Sequence, residues 1–251
     1  MKQCTILALG FLVAWALPAA LGQDKAAEKL FRDLEKKIKG AKALEIVFTY
    51  QINGKTAKGS LVLAAEDKAR LRVSGHYYPG VEGNPSFELV SDGKRFKTKG
   101  AEIRIAPTGI PVVDPDGQTT AGDTGKGFHA MGAIVLSRGG VGYFVYALPY
   151  WIQGTGGVDP DAPESRMTAY DFKAGAAEKV GERQAKVLRY RFGKGGKGDA
   201  EITLWIDAEN GLPLKRVFSN PKGVFVGRIT ETYSKINLRL KVDAKAFELP
   251  K

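Results

Sequence analysis

His76 and His129 are the only two histidines of the sequence, and they are the first candidates for acid–base chemistry. Neither is spaced from the other as the ligands of a metal site are, and neither belongs to a recognisable catalytic triad. A hydrolase that uses one of them is the enzymatic alternative. We expect both histidines to have ordinary roles in loops or at the surface, and we expect that the protein is not an enzyme.

Two motifs, a phosphate-binding loop and a nucleophilic serine, are only partly present in the sequence. Asn53-Gly-Lys-Thr56 ends like a phosphate-binding loop, but Thr49 stands where that loop has its first glycine. The segment also joins two predicted strands, whereas the phosphate-binding loop joins a strand to a helix. Ser74 and Ser137 both lack the glycine that precedes a nucleophilic serine by two residues. The sequence therefore predicts neither a nucleotide site nor a serine nucleophile.

Carboxylates cluster in two loops, at Asp114-Pro-Asp116 and between Asp159 and Glu164, where their oxygens could bind calcium. However, Gln118 stands where the loop of an EF-hand has a third aspartate or asparagine. Proline beside aspartate is also typical of plain turns. We therefore expect no metal ion and no other cofactor.

The largest set of side chains that could bind something is apolar and alternates along predicted strands. A period of two places every second residue on the same face of a strand. One face of the predicted sheet therefore collects thirteen apolar residues, namely Leu44, Ile46, Phe48, Tyr50, Leu61, Leu63, Leu71, Val73, Phe87, Leu89, Ile202, Leu204 and Ile206. We take these residues as the candidate lipid-binding site.

Turn residues arrange these strands in antiparallel hairpins. Asn53-Gly54 is the strongest hairpin signal, and Asp92-Gly93 predicts another. From Ile202 to about Leu238, three strands and two turns predict a meander. Residues 167–172 and 185–192 predict further strands, so the chain is mainly β.

A few helices are predicted beside the sheet. Residues 24–38 carry apolar side chains at helical spacing, and Gly40 follows the helix. Residues 107–127 are rich in Pro, Gly, Asp and Thr and predict a long irregular loop, which is followed by a short helix over 128–137. A second loop is predicted over 153–164. These helices either cover the apolar face completely, as in an ordinary core, or leave a cavity for a ligand. The pattern leaves both possibilities open.

The N-terminal residues 1–22 are typical of a secretory signal peptide, with Lys2, an apolar run and small residues at its end. Residues 23–251 then form one predicted domain without cysteine, because Cys4 is the only cysteine. The formal net charge is +11, and removal of Lys2 leaves +10. This charge either keeps the protein soluble or attracts anionic lipid or an acidic protein. No nucleic-acid-binding module accompanies the basic residues, so we expect no nucleic acid.

Several short motifs resemble the periplasmic lipoprotein-carrier superfamily of LolA and LolB. Leu89-Val-Ser-Asp-Gly-Lys94 is similar to the turn that precedes an aromatic strand in this family. Val242-Asp-Ala-Lys-Ala-Phe-Glu-Leu-Pro250 is similar to its closing segment, and Ile202-Thr-Leu-Trp-Ile-Asp207 resembles its sheet core. These motifs follow the family's order over nearly all of residues 24–250.

The resemblance implies a curved antiparallel half-barrel, an α+β fold that is mainly β, with a few helices as a lid. It also implies a periplasmic carrier that shields the acyl chains of a lipid or lipoprotein in an apolar cavity. An envelope sensor or adaptor that binds a protein or lipid signal is the alternative within the same family. The arginine that helps hold the family's lid closed aligns with Asp67 or Lys68 here, so the resemblance does not extend to that role.

Overall fold

The computed structural model describes residues 20–52, 54–76, 86–100, 102–105, 111–114, 119–124, 127–152, 168–193, 199–220 and 227–250. The helices are α1 (Ala20–Lys39), α2 (Phe128–Arg138), α3 (Val141–Ile152) and a C-terminal 3₁₀ helix (Ala244–Phe247). The strands are β1 (Ala43–Ile52), β2 (Lys55–Ala64), β3 (Lys68–Gly75), β4 (Ser86–Asp92), β5 (Arg95–Lys99), β6 (Glu102–Ile105), β7 (Pro111–Asp114), β8 (Ala121–Asp123), β9 (Thr168–Ala174), β10 (Glu178–Val180), β11 (Arg183–Gly193), β12 (Ala200–Asp207), β13 (Pro213–Asn220) and β14 (Gly227–Asn237).

One twelve-stranded antiparallel sheet dominates the fold, in the order β10-β11-β12-β13-β14-β1-β2-β3-β4-β5-β8, with β9 paired to β11. Strands β6 and β7 form a separate small sheet. The ends of the large sheet, β10 and β8, do not pair with each other, so the sheet is not closed into a barrel. The predicted fold class, an unclosed antiparallel sheet with a few helices, is confirmed.

The turns between the first strands have the geometry that their residues favour. Gly54 has a φ of 80° between β1 and β2. Glu66 and Asp67 both have positive φ, 62° and 58°, at the turn between β2 and β3. Positive φ at two central turn residues matches the twist of the two flanking strands. These turns hold β1, β2 and β3 in register over eight or more residue pairs.

We call the face of the large sheet that packs against the helices the inner face, and the opposite one the outer face. Helix α1 places Ala27, Phe31, Leu34 and Ile38 on one side, and all four are buried. Helix α2 packs on α1, β2 and β3, and α3 packs on α2 and β14. We refer to α1, α2 and α3 together as the helical cover.

The sequence-based assignment was wrong in one region. Residues 107–127 were predicted to form an irregular loop, but they contain β7 and β8, and β8 extends the large sheet beside β5. Strand β8 has only three residues and is formed by its pairing with β5, so no alternation in its own sequence predicts it. The predicted helix over 128–137 is confirmed as α2. The aromatic run that begins at Tyr143 forms α3, which the sequence did not assign.

The two ends of the chain lie in different places relative to the sheet. Helix α1 begins at Ala20, so the predicted cleavage near Gly22 falls within its first turn. The signal peptide and the single domain stay predictions. At the other end, Phe247 packs against Ala43 and Ala64. The C-terminal segment therefore covers part of the outer face. No helix within the described ranges is both long and apolar enough to span a bilayer.

Candidate functional site

All thirteen residues of the candidate site lie in one hydrophobic core cluster on the inner face, and none is more than 4% exposed. The strand register aligns them in rows. Ile46, Leu61, Leu71 and Leu89 are successive partners across β1 to β4. The sequence therefore located residues that share one buried apolar cluster. Whether it binds lipid stays a prediction.

The helical cover packs closely on this face in the present conformation. Where α1 and α2 meet β1 and β14, the remaining void is about 10 Å³ and is lined by residues that include Ile38, Leu44 and Leu136. Helix α2 comes so close that a Cβ on Gly132 would lie 2.9 Å from Leu63 Cδ1. Of the two possibilities that the sequence left open, the closed core describes this part of the structure.

A groove of about 300 Å³ lies at the edge of the cover, between the first turns of α1 and strands β9 and β11. Ala26, Ala27 and Leu30 line it on the helix, and Ala174 and Leu188 line it on the sheet. Most of its side chains are small and apolar. The groove thus leads from solvent to fully buried Leu188 on the inner side of β11.

The N-terminal end of α2 is attached to the sheet through Asp67. Its two carboxylate oxygens accept hydrogen bonds from the backbone N–H of Gly127 at 3.0 Å and of His129 at 2.9 Å. A carboxylate at this end of a helix pairs with free N–H groups and with the helix dipole. The turn between β2 and β3 therefore contacts the cover through an acidic side chain.

The junction of α2 and α3 is attached through a buried pair of opposite charges. Arg216 and Glu231 face each other across β13 and β14, and both are 0% exposed. Arg216 donates hydrogen bonds to the carbonyl oxygens of Leu136 and Ser137, at 2.9 and 3.0 Å. The Glu231 carboxylate accepts them from the N–H groups that begin α3, at 3.1 and 2.7 Å. The cation thus meets a helix C-terminus and the anion a helix N-terminus.

Additional polar contacts join the same junction to α1 and β11. Arg138 Nε donates to Glu35 Oε1 at 2.6 Å, and both side chains are buried. The Tyr190 hydroxyl donates to the carbonyl oxygen of Arg138 at 2.5 Å, and that of Tyr233 donates to Glu231. We call these residues the polar cluster: Glu35, Arg138, Tyr190, Arg216, Glu231 and Tyr233.

The two tyrosines of the polar cluster are neutral at neutral pH, and Arg216 is charged. Burial raises the pKa of Tyr190 to about 12, and burial also raises the pKa of Tyr233 well above its ordinary value. Burial alone would lower the pKa of Arg216, but Tyr233, Tyr190 and Glu231 raise it above its ordinary value. Both phenols therefore act as hydrogen-bond donors.

The polar cluster was missed at the level of sequence, although a signal for it existed. Leu214, Arg216 and Phe218 follow one another at a spacing of two residues, and so do Ile229, Glu231 and Tyr233. A charge in such a row must point to the same face as its apolar neighbours. Two inward charges of opposite sign on adjacent strands thus predict a buried pair.

The other candidates for chemistry are less organised. His129 is half-buried, its Nε2 has no hydrogen-bond partner, and burial lowers its pKa although Asp67 opposes this. Within the described ranges, no three His, Cys, Asp or Glu side chains are placed to hold a metal ion. Asp116 and the loop over 153–164 fall outside the described residues.

Another cavity lies on the outer face of the sheet. It measures about 700 Å³ and is an open groove across β1, β2, β3 and β4. Outward-pointing side chains such as Ser60 and Ser74 line most of it. The family resemblance implied a cavity on the opposite face, beneath the helices, whereas the sequence pattern left a cavity and a closed core both possible.

Several solved structures are similar to this chain. The lipoprotein LppX of Mycobacterium tuberculosis has 15% identity and a TM-score of 0.43, with 88% of this chain and 100% of LppX covered. MucB has 15% identity and a TM-score of 0.42; 90% of this chain is covered, but it spans only 63% of MucB. A LolA superfamily protein of Nitrosomonas europaea has 8% identity and a TM-score of 0.28, with 88% and 96% covered. A LolA superfamily protein is thus among the solved structures to which this chain is similar. No protein-family model and no curated protein matches the chain.

Proposed function

We propose that this protein binds the acyl chain of a lipid or lipoprotein between its inner face and its helical cover, and that it carries this chain without catalysis. The observation that carries the proposal is the extensive apolar inner face of an unclosed sheet, covered by three helices that are attached to it partly through the buried charges Arg216 and Glu231. An acyl chain would replace the helices as the apolar cover of that face.

The polar cluster supports a cover that can open. A buried ion pair usually stabilises a fold no more than apolar side chains of the same volume, so its use as a switch is the better-attested reason for keeping one. If α2 and α3 move away, Arg216 and Glu231 regain water as a partner. Opening therefore costs less free energy than the separation of an entirely apolar interface of the same area.

The groove beside α1 supports a place of entry. Its volume of about 300 Å³ is at the lower end of the range for small-molecule sites, which is about 300 to 1,000 Å³. Its small side chains lie next to the core residues Ala27 and Leu188. An acyl chain that enters here reaches the inner face once α1 shifts outward.

The same proposal gives the protein a location and a cargo. The predicted signal peptide would direct it across the inner membrane to the periplasm, where acyl chains need shielding from water. The cargo would be a free lipid or the lipid moiety of a lipoprotein, since either presents an acyl chain.

A titration with saturated fatty acids of increasing length tests the proposal. Each buried methylene contributes roughly 0.8 kcal/mol, so two further carbons tighten binding roughly 15-fold until the site is full. The variant Leu63→Ala removes apolar side-chain atoms from the inner face and therefore weakens binding. Val62→Ala, on the outer face of the same strand, is the matched control and leaves affinity nearly unchanged. Circular dichroism verifies that both variants fold.

Two outcomes would contradict the proposal. Equal affinities along the series would remove the acyl site. Binding that depends strongly on salt but not on chain length would favour the sensor or adaptor alternative, in which the basic surface contacts an acidic protein.

A further inference from the structure

The groove on the outer face has a charge that its own strands do not neutralise. Three basic side chains, Lys58, Arg72 and Lys99, lie along it, and Glu88 is its only acidic residue within the described ranges. Glu88 is already engaged, because Arg70 Nε and Arg72 Nε donate to it at 2.6 and 2.7 Å. No ion pair involves Lys58 or Lys99 in the part of the chain that the structure describes.

Part of the floor of the groove consists of short side chains that carry hydroxyl groups, beside apolar residues such as Val47. Ser74 and Ser86 are paired residues of β3 and β4, and Lys58 is paired with Ser74 on the other side. Ser60 lies in the next outward row, beside Val47. Hydroxyl donors between two lysines form a surface that can surround the oxygens of a phosphate.

The groove has a defined end. Beyond it, the C-terminal segment covers the outer face, where Arg70 Nη1 donates to the carbonyl oxygen of Ala246 at 3.1 Å and Phe247 is buried. The groove is open to solvent elsewhere, and its volume of about 700 Å³ is of the size that small ligands occupy, whereas a protein surface would need a wider contact.

We infer that the outer groove binds the phosphate-bearing headgroup of an anionic phospholipid and docks the protein on a membrane surface. The net charge of +11 attracts the protein to such a surface from a distance, and the groove supplies the local contact. This site lies on the face opposite to the acyl site and does not depend on it. The protein can therefore bind a membrane through its outer face while its helical cover points away from the membrane.

Vesicles of phosphatidylcholine, with and without phosphatidylglycerol, test the inference in a sedimentation assay with the whole protein. Each basic residue near an anionic surface contributes about 1 kcal/mol, so the double variant Lys58→Gln/Lys99→Gln binds the mixed vesicles about 30-fold more weakly. The matched control is Lys179→Gln/Arg189→Gln, which removes the same charge from β10 and β11. Strand β11 is about 19 Å from β1 across the sheet, beyond the screening length of about 8 Å, so the control loses about twofold or less.

A variant that fills the groove without changing its charge separates a site from a diffuse attraction. Ser74→Trp is expected to weaken binding to the mixed vesicles at least tenfold, and Ser86→Trp replaces it if the first variant does not fold. Soluble glycerol phosphate competes with the vesicles.

Three results would overturn the inference. They are equal losses in the two double variants, full binding by both tryptophan variants, and direct binding of glycerol phosphate by a protein that does not bind vesicles. The last result would assign the groove to a soluble phosphate compound.

Discussion

Replacement of Arg216 by methionine separates the two roles that the proposal gives to the polar cluster. The change removes the cation and keeps a long apolar side chain of similar length. Two carbonyl oxygens at the end of α2 lose their donor, and Glu231 remains in the interior without its cross-strand partner. Removal of one member of a buried pair typically destabilises a fold by about 3 to 5 kcal/mol.

This loss acts mainly on the closed state, because the carbonyl oxygens that Arg216 binds belong to the cover. The open state therefore becomes more populated. Since apparent affinity is proportional to the fraction of competent protein, the variant binds an acyl chain more tightly, by about tenfold or more until the open state predominates. Stability and affinity then change in opposite directions.

Urea unfolding followed by circular dichroism gives the change in stability, and fluorescence titration with a long-chain fatty acid gives the affinity. Arg189→Met is the matched control, since Arg189 is exposed on β11 and its replacement should change stability by about 0.5 kcal/mol or less. A fall in affinity that accompanies the fall in stability of Arg216→Met would refute the idea that the cover must open. A loss of stability below about 1 kcal/mol would refute the role of the buried pair.

Three other perturbations test individual parts of the site. Gly140→Ala places a Cβ 2.4 Å from the Glu231 carboxylate at a φ of 90°, whereas its control Gly181→Ala has only an unfavourable φ of 60°. Unfolding in urea should show a loss of stability of about 1 kcal/mol for Gly181→Ala and a clearly greater loss for Gly140→Ala. Asp67→Ala should lower stability by about 1 to 2 kcal/mol through loss of the contact to α2, and Asp67→Asn, which keeps one acceptor oxygen and tolerates the φ of 58°, by less; a loss below about 0.5 kcal/mol for Asp67→Ala would contradict the role of the carboxylate. Because the pKa of His129 is lowered in the folded protein, the unfolded chain binds this proton at a higher pH than the folded one. The contribution of His129 to stability is therefore complete above pH 6.5 and declines as the pH falls below that value. His129→Gln should remove that decline in thermal unfolding curves and leave acyl binding unchanged.

The hairpins and the inner face could be predicted because each is determined by local pattern. The alternation from Leu44 to Ile52 is enough to identify the buried side of β1, and the turns at Gly54 and Gly93 limit the possible partners. The conformation of the cover could not be predicted in this way. It depends on contacts between residues far apart in sequence, such as Glu35 with Arg138.

The position of the groove on the outer face also could not be predicted from the pattern. Alternation assigns residues to faces but gives neither the local twist of the sheet nor the course of the C-terminal segment across it. The outer groove lies beyond the part of the face that this segment covers, where short side chains such as Ser60 and Ser74 leave room. Only the assembled sheet brings them together.

The position of a bound acyl chain tests the central claim most directly. With methyl-labelled leucine and valine and a perdeuterated background, nuclear Overhauser contacts from a long-chain fatty acid identify the side chains that it touches. The proposal predicts contacts to methyl groups of Leu61, Leu63 and Leu204 on the inner face and none to Val47 or Val62 on the outer face. Contacts confined to Val47 and Val62, or none to the inner leucines at saturating ligand, would contradict it.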